Sequence, residues 1–564
     1  MKYLHMYRWQ LLSTTSLIVL TFLAFGHSLI QGFAPVDDAL LIYENATVWG
    51  LSWHNIRTIF TSYDPELYIP FTFLSFQINY AFGGLDPFVY HLTNLLFHAV
   101  NAVLVMWLVD LLSGRKWMAF LLAALFAVHP LNSEAVVWIA GRKDLLSTTF
   151  FLLAFIWYLK EKRCTKTGGI FFLCGLLSKV MVVTLPIVLV LHDVLISRKT
   201  IKESVRSTAP YFVLSFLFGL IAMGGKTRII AATSLMDTAL MAAKSSVFYL
   251  KQIFAPSGLS LVYPFRGDIT LMSPEFIVPV LIIITLLYAV WRLRNSYPMF
   301  TFSILFFFVT LAPTFFHVNK GNLMFFAVDR YAYLPMIGII TILAVVLGRV
   351  MQDIRRTVLI IMGVVLLTFT LISRQQTLVW DSPDRLFEHS LKHYPESILA
   401  RTALGRIYRQ QGRTQLAFDT LRDGIAYGDH MHLRLGAGTI YAKTGQLRDA
   451  RLHFKAAMKL APDNPEPHFY LGSLEEQVGN TSIAQELFEI AVGMDDSYVP
   501  ARNHLGNIYL EKEMYDEAFE QFAASAAWNP NSLQAYEGLV AVLTAQGKID
   551  DLEQYKERIE VLRN

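Results

Sequence analysis

"LLSTTSLIVLTFLAFGHSLIQGFAPVDD", residues 11–38, is almost wholly apolar until it closes on two adjacent carboxylates, Asp37 and Asp38. A helix needs about 20 mainly apolar residues to cross the hydrocarbon core. The stretch therefore predicts a membrane span over 10–30 with an acidic pair just beyond its end. "AFG" at 24–26 is small enough for a cleavage site, but the run is too long for a signal peptide and predicts an uncleaved anchor.

The rest of the chain extends that reading. Of its 564 residues 54% are hydrophobic and 41 are Phe, and the mean hydropathy is +0.42, values far from those of a soluble protein. The long apolar runs stop near residue 373, and Glu, Gln, Arg, Ala and Tyr dominate beyond it, so two solvents are implied. About eleven spans are predicted, near 10–30, 93–112, 116–130, 145–159, 168–178, 180–197, 209–224, 274–292, 298–316, 333–350 and 357–373. The fold class is all-α: a polytopic membrane domain over 1–373, a membrane-proximal helix or linker over 374–393, and a helical repeat domain over 394–564. A net charge of +4 supplies no basic face for nucleic acid, which is excluded as a partner. Two cysteines, Cys164 and Cys174, give no disulfide framework and no zinc ligand set.

Cytoplasmic loops carry excess Lys and Arg. "SGRKW" (113–117), "KEKRCTK" (160–166), "SRKTIKESVR" (197–206), "RLRN" (292–295) and "RVMQDIRR" (349–356) all fall on one side, with Lys2 and Arg8. The N-terminus is then cytoplasmic, and the loop 31–92, the loop 129–144, the segment 225–273, the loop 317–332 and everything after about 374 are outside. "WHNIRTIF", "FTFLSFQINYAF" and the segment 236–255 mix aromatic and polar residues at helical spacing and predict helices lying in the interface.

Beyond the membrane domain the sequence repeats itself. "LGRIYRQQGRTQLAFDTL" (404–421) recurs as "GTIYAKTGQLRDARLHF" (438–454), "LGSLEEQVGNTSIAQELF" (471–488), "LGNIYLEKEMYDEAFEQF" (505–522) and "LVAVLTAQGKIDDLEQY" (539–555). Gly412, Gly445, Gly479 and Gly547 step along with it, Glu513 standing in the place of one more, and Ala417, Ala450, Ala484 and Ala518 keep pace. That is the tetratricopeptide period: helix hairpins whose small residues allow close approach, stacked into a superhelix that binds an extended peptide or a partner protein.

Ionisable residues near a membrane are costly and invite a functional reading. The outer face collects Asp37–Asp38; His129, Glu134, Arg142, Lys143 and Asp144 in "HPLNSEAVVWIAGRKD"; Lys179 at a helix junction; and Lys320, Asp329 and Arg330 in "NKGNLMFFAVDRYAYLP". Carboxylates on early loops with cations on later ones suit a reaction that takes a proton from one partner and steadies a departing phosphate on another. A transporter uses the same residue types as ion relays, and interfacial Arg and Lys also anchor helices at headgroups. Asp37 also reads as an N-cap of the following segment. His129 reads best as a hydrogen-bonded residue before Pro130, and His91 as structural.

"FQINYAFGGLDPFVYHLTNLLFHAVNAVLV" (76–105), "HPLNSEAVVWIAGRKDLLS" (129–147) and "VDRYAYLPMIG" (328–338), followed by the repeats, resemble the transmembrane and tetratricopeptide repeat-containing O-mannosyltransferases over nearly the whole chain. The modest number of repeats is closer to a bacterial or archaeal relative than to an animal one. The resemblance implies the GT-C membrane glycosyltransferase fold and a sugar donor, mannose on undecaprenyl or dolichyl phosphate. It implies Asp37 as the base that activates an acceptor hydroxyl, Asp38 second to it, and Glu134 as the carboxylate that orients acceptor or base. Arg330, Lys179, Arg142 and Lys320 are its candidates for the lipid-linked phosphate, with His91, His129, Asp329 and Tyr331 in support. It implies no particular metal. Ile69 stands where the pattern has Arg, and Val180 where it has an acid after the Lys. The partners implied are the polyprenyl-phosphate sugar, membrane lipid and a Ser/Thr acceptor protein held by the repeats. The alternatives are a GT-C enzyme with a glycan or lipid acceptor, and a non-catalytic scaffold or transporter.

Overall fold

The opening apolar run is a helix, Lys2–Phe25, continued by a 3-10 turn over Gly26–Ile30. The computed structural model describes residues 2–34, 36–63, 67–225, 234–316, 319–320, 323–548 and 552–563. The chain divides into one unit of Met1–Tyr43 with Thr47–His393, and a second of Tyr394–Asn564 with Glu44–Ala46.

All the predicted spans fall on helices, but fewer of those helices are long and apolar enough to cross a membrane. Six qualify among the described residues: Arg8–Ile30, Pro87–Ser113, Ile201–Gly224, Pro274–Leu293, Pro298–Phe315 and Arg356–Asp381. Lys116–Ala127 and Pro130–Val137 make a seventh if joined across their 53° bend. The shortfall has a physical cause. Helix Arg142–Glu161 opens on Arg142, Lys143 and Asp144, and Lys166–Ser178 and Val180–Leu195 are divided at Lys179. Broken backbone is tolerated at such depth only where protein surrounds it or it lines a cavity, and these breaks carry the polar residues described below.

The basic loop expected between 333–350 and 357–373 is instead helical, because "RVMQDIRR" holds good helix formers and no stop signal. Met336–Leu378 is one helical stretch. Leu343 and Leu347 from its first part share an apolar cluster with Val358 and Met362 from its second, around Leu121 and Leu125. The three segments expected at the interface are helical, as Trp53–Thr61, Pro70–Gly83 and Leu235–Phe254. A small antiparallel sheet was not legible in the sequence: β1 (Tyr263–Pro264), β2 (Asn319–Lys320) and β3 (Leu323–Ala327), in the order β1-β3-β2. Tyr263 pairs with Ala327, so β3 delivers the chain directly to Asp329 and Arg330.

The second unit is a stack of helix pairs. Ile398–Gln410 pairs with Thr414–Tyr427, Met431–Lys443 with Leu447–Leu460, Pro465–Gln477 with Thr481–Met494, Val499–Glu511 with Tyr515–Trp528, and Leu533–Ala545 precedes Glu553–Arg563. A Cβ added at Gly438, Gly472 or Gly506 would stand 2.5, 2.7 or 2.7 Å from the ring of Phe454, Phe488 or Phe522, which is why those positions are glycine. Ala417, Ala450, Ala484 and Ala518 are fully buried between the helices. Each turn glycine has a positive φ, and Glu513 adopts the same conformation at φ +59°.

Candidate active site

The site begins with the break after Lys116–Ala127. Pro130, which has no N–H to donate, opens a 3-10 turn over Pro130–Asn132. A short helix Ser133–Val137, a turn Ile139–Gly141 and the helix from Arg142 follow. A Cβ at Gly141 would lie 2.6 Å from the Ala135 carbonyl oxygen, so only glycine lets the loop close this tightly. The fold-back brings Glu134, Trp138, Lys143 and Asp144 to one place beside the segment Asp329–Ala332.

Each cation there faces a carboxylate. The Glu134 carboxylate accepts from the Arg330 backbone N–H at 2.9 Å and from the Arg330 guanidinium. Lys179 pairs with Asp144, across the helix break. Lys143 Nζ lies 3.6 Å from Asp37 Oδ2. Aromatic rings floor the cluster: Arg330 sits 4.8 Å from the Trp138 ring centroid and 5.3 Å from that of Tyr331, Lys179 is 5.3 Å from Tyr331, and Lys143 is 5.3 Å from Trp138. Burial opposes the charge on Arg330, but Glu134, with Tyr331, Asp144 and Asp37 also in electrostatic reach, outweighs it and raises its pKa.

The two adjacent aspartates part company. Asp38 is fully buried, and its carboxylate accepts from the Ala34 N–H at 2.8 Å and the Ala140 N–H at 2.9 Å, stapling the segment after the first helix to the 129–144 loop. Burial pushes its pKa up to about 7 against those two hydrogen bonds. Asp37 keeps its side chain 43% exposed beside Lys143. The segment after them is a π-helical turn, Ala39–Tyr43, in which the Asp37 carbonyl accepts from Leu41 N.

Other predicted residues stand outside these ion pairs. Arg142 is fully buried and spends its guanidinium on Asn94, Ser75 at 3.2 Å, Asn79 at 2.9 Å and the Tyr90 carbonyl at 2.8 Å, so it cross-links Pro70–Gly83 to Pro87–Ser113. His129 lies 2.9 Å from the Ile253 carbonyl and accepts from Leu131 N, and His91 lies 3.3 Å from the Gly32 carbonyl. Asp329 is buried behind Arg330 and accepts from the Tyr263 hydroxyl at 2.6 Å; burial, with Glu134 close by, holds its carboxyl well above the ordinary range. The Lys320 side chain lies outside the described residues. Trp138 was not singled out from the sequence; the signal was a lone indole in "VVWIAGRKD", next to the charges it serves.

Three buried polar atoms in the cluster find no hydrogen-bond partner among the described residues: Trp138 Nε1, Arg330 Nε and Asp144 Oδ2. Buried polar groups are nearly always satisfied, so two donors and an acceptor here have hydrogen-bonding capacity to spare. Among the described residues no group of His, Cys, Asp and Glu is arranged to hold a metal ion.

The tetratricopeptide repeat family matches residues 471–532. Protein O-mannosyl-transferase tmtc2 of Xenopus laevis is 33% identical over 180 residues, covering 28% of this chain and 21% of that protein. Protein O-mannosyl-transferase TMTC3 of Mus musculus is 44% identical over 95 residues, 17% of this chain and 10% of that protein. The chain thus matches only about a fifth or less of the length of these curated relatives. The crystal structure of MamA is 20% identical and covers 28% of this chain and 94% of its own, at a TM-score of 0.25.

Proposed function

We propose that the chain is an inverting glycosyltransferase that moves a sugar, mannose, from a polyprenyl phosphate to Ser or Thr hydroxyls of exported proteins. The cluster works on the outer face of the membrane, the N-terminus is cytoplasmic, and the repeats lie outside and bind the acceptor. One observation carries the reading: Asp37 is the open carboxylate of the site, 3.6 Å from Lys143 and within electrostatic reach of Arg330.

The chemistry follows from that arrangement. The acceptor oxygen forms its bond to the anomeric carbon as its proton passes to Asp37, and the bond from that carbon to the phosphate oxygen breaks with inversion. The polyprenyl phosphate departs as an anion and needs cations rather than an acid. Arg330 offers a planar fork, Lys143 and Lys179 point charges. Lys143 stands 3.6 Å from Asp37; as its charge turns to the phosphate, the Asp37 carboxylate acts as base. Asp38 holds the loop, and Glu134 holds Arg330.

Mass spectrometry of exported proteins tests the reading. Cells carrying the wild-type chain should show hexose on Ser or Thr that disappears when Asp37→Asn replaces it, with the protein still present in the membrane. Identical modification in both cells rejects it.

A further inference from the structure

The last membrane helix does not end free of the cluster. Its closing turn, Val379–Asp381, places the Trp380 ring nearly parallel to that of Trp138, at 21° and 6.3 Å between centroids. Trp138 is the ring on which both Arg330 and Lys143 rest. The next residue fixes the turn: Asp381 accepts from Gln31 Nε2 at 2.7 Å and from Arg385 at 2.7 Å, and lies 2.9 Å from His27 Nε2. Gln31 also donates to the Thr377 carbonyl at 2.8 Å, and Gln31 stands at the head of the loop that carries Asp37. The helix Pro383–His393 then seats Ser390 against Ser260 at 3.1 Å and His389 against the Leu259 carbonyl at 3.2 Å. A small cavity lined by Glu134, Asp329, Ser260, Trp380, His389 and Ser390 lies where these parts meet.

We infer that Trp380 is a positioning residue for sugar transfer: the turn that leads out of the membrane unit towards the repeats is keyed into the site and sets the Trp138 ring beneath its two phosphate-facing cations. The inference deepens the reading proposed above and rests on it. Cation–π contacts are worth about 0.5–2 kcal/mol, but they fix a guanidinium and an ammonium to one platform, so a tilted platform displaces both cations together. Asp381 ties the same turn to the head of the Asp37 loop, so base and cations share one anchor.

The test uses the full-length chain in detergent with a short-chain polyprenyl phosphate as binding probe, and transfer of mannose from the matching polyprenyl phosphate mannose to a Ser/Thr peptide as a second readout. Trp380→Ala should weaken probe binding roughly tenfold and lower kcat by a similar factor, with the KM for peptide unchanged. Trp380→Phe, which keeps a stacking ring, should return both to within about twofold of wild type. Asp381→Asn, which leaves the ring in place but weakens its anchor, should fall between the two. If Trp380→Ala binds the probe as tightly as wild type while unfolding at the same temperature, the keying is wrong. A wild-type chain that binds the probe but transfers no sugar overturns the glycosyltransferase reading, whereas the probe-binding series still decides the role of Trp380.

Discussion

In the repeat unit the same packing recurs at a fixed interval: Gly438 on Phe454, Gly472 on Phe488, Gly506 on Phe522. In the membrane unit two residues adjacent in sequence have opposite fates, Asp37 open beside Lys143 and Asp38 sealed under two backbone N–H groups. The contrast separates two kinds of specification. A solenoid is set by nearest neighbours, so identical small residues suffice. A polar cluster is set by loops brought from remote parts of the chain, and there a single residue step decides between an open carboxylate and a buried staple.

Four substitutions press on that contrast. Glu134→Ala should have the largest effect, because it leaves the buried Arg330 guanidinium without its carboxylate; such a loss costs about 3–5 kcal/mol. It should lower the unfolding temperature and abolish transfer together. Gly506→Leu should cost about 1–3 kcal/mol by overpacking against Phe522 and should act on the repeats alone, leaving polyprenyl phosphate binding unchanged; if that binding falls too, the two units are not energetically separate. Asp38→Asn turns an amide against one of the two backbone donors and should cost about 1–3 kcal/mol while a fraction of transfer survives. Glu513→Gly should be the smallest, a gain of up to about 1 kcal/mol, because glycine takes the left-handed conformation without penalty.

pH sharpens the difference within the aspartate pair. The native state holds a proton on Asp38 between the ordinary carboxyl value of 3.8 and about 7, where the unfolded chain has released it. This group therefore favours folding at low pH, and its contribution is lost as pH climbs through about 7. The unfolding temperature of wild type should fall across that window more steeply than that of Asp38→Asn. Equal slopes would mean that Asp38 is not the group titrating.

The legible and illegible parts divide along the same line. Apolar length and the tetratricopeptide period were enough for an all-α membrane unit and a repeat solenoid, since both are local patterns. The span count was less legible: Lys179 and the 129–144 loop break helices in order to bring charges inward, and apolar length alone does not register that. Arg142 shows the limit for the site. It lies beside Lys143 in sequence, yet it points into Asn79, Asn94 and the Tyr90 carbonyl, because the helix beginning there turns adjacent side chains to different faces. Trp138 and Trp380 meet over a long stretch of sequence, which no local pattern announces.

Transfer from a polyprenyl phosphate sugar to a Ser/Thr peptide by the purified full-length chain, measured side by side for wild type, Asp37→Asn and Asp38→Asn, tests the division of labour most directly. Wild type should turn over, Asp37→Asn should fall to background while unfolding at the wild-type temperature, and Asp38→Asn should unfold earlier yet keep measurable transfer. Turnover by Asp37→Asn at the wild-type rate would contradict the account.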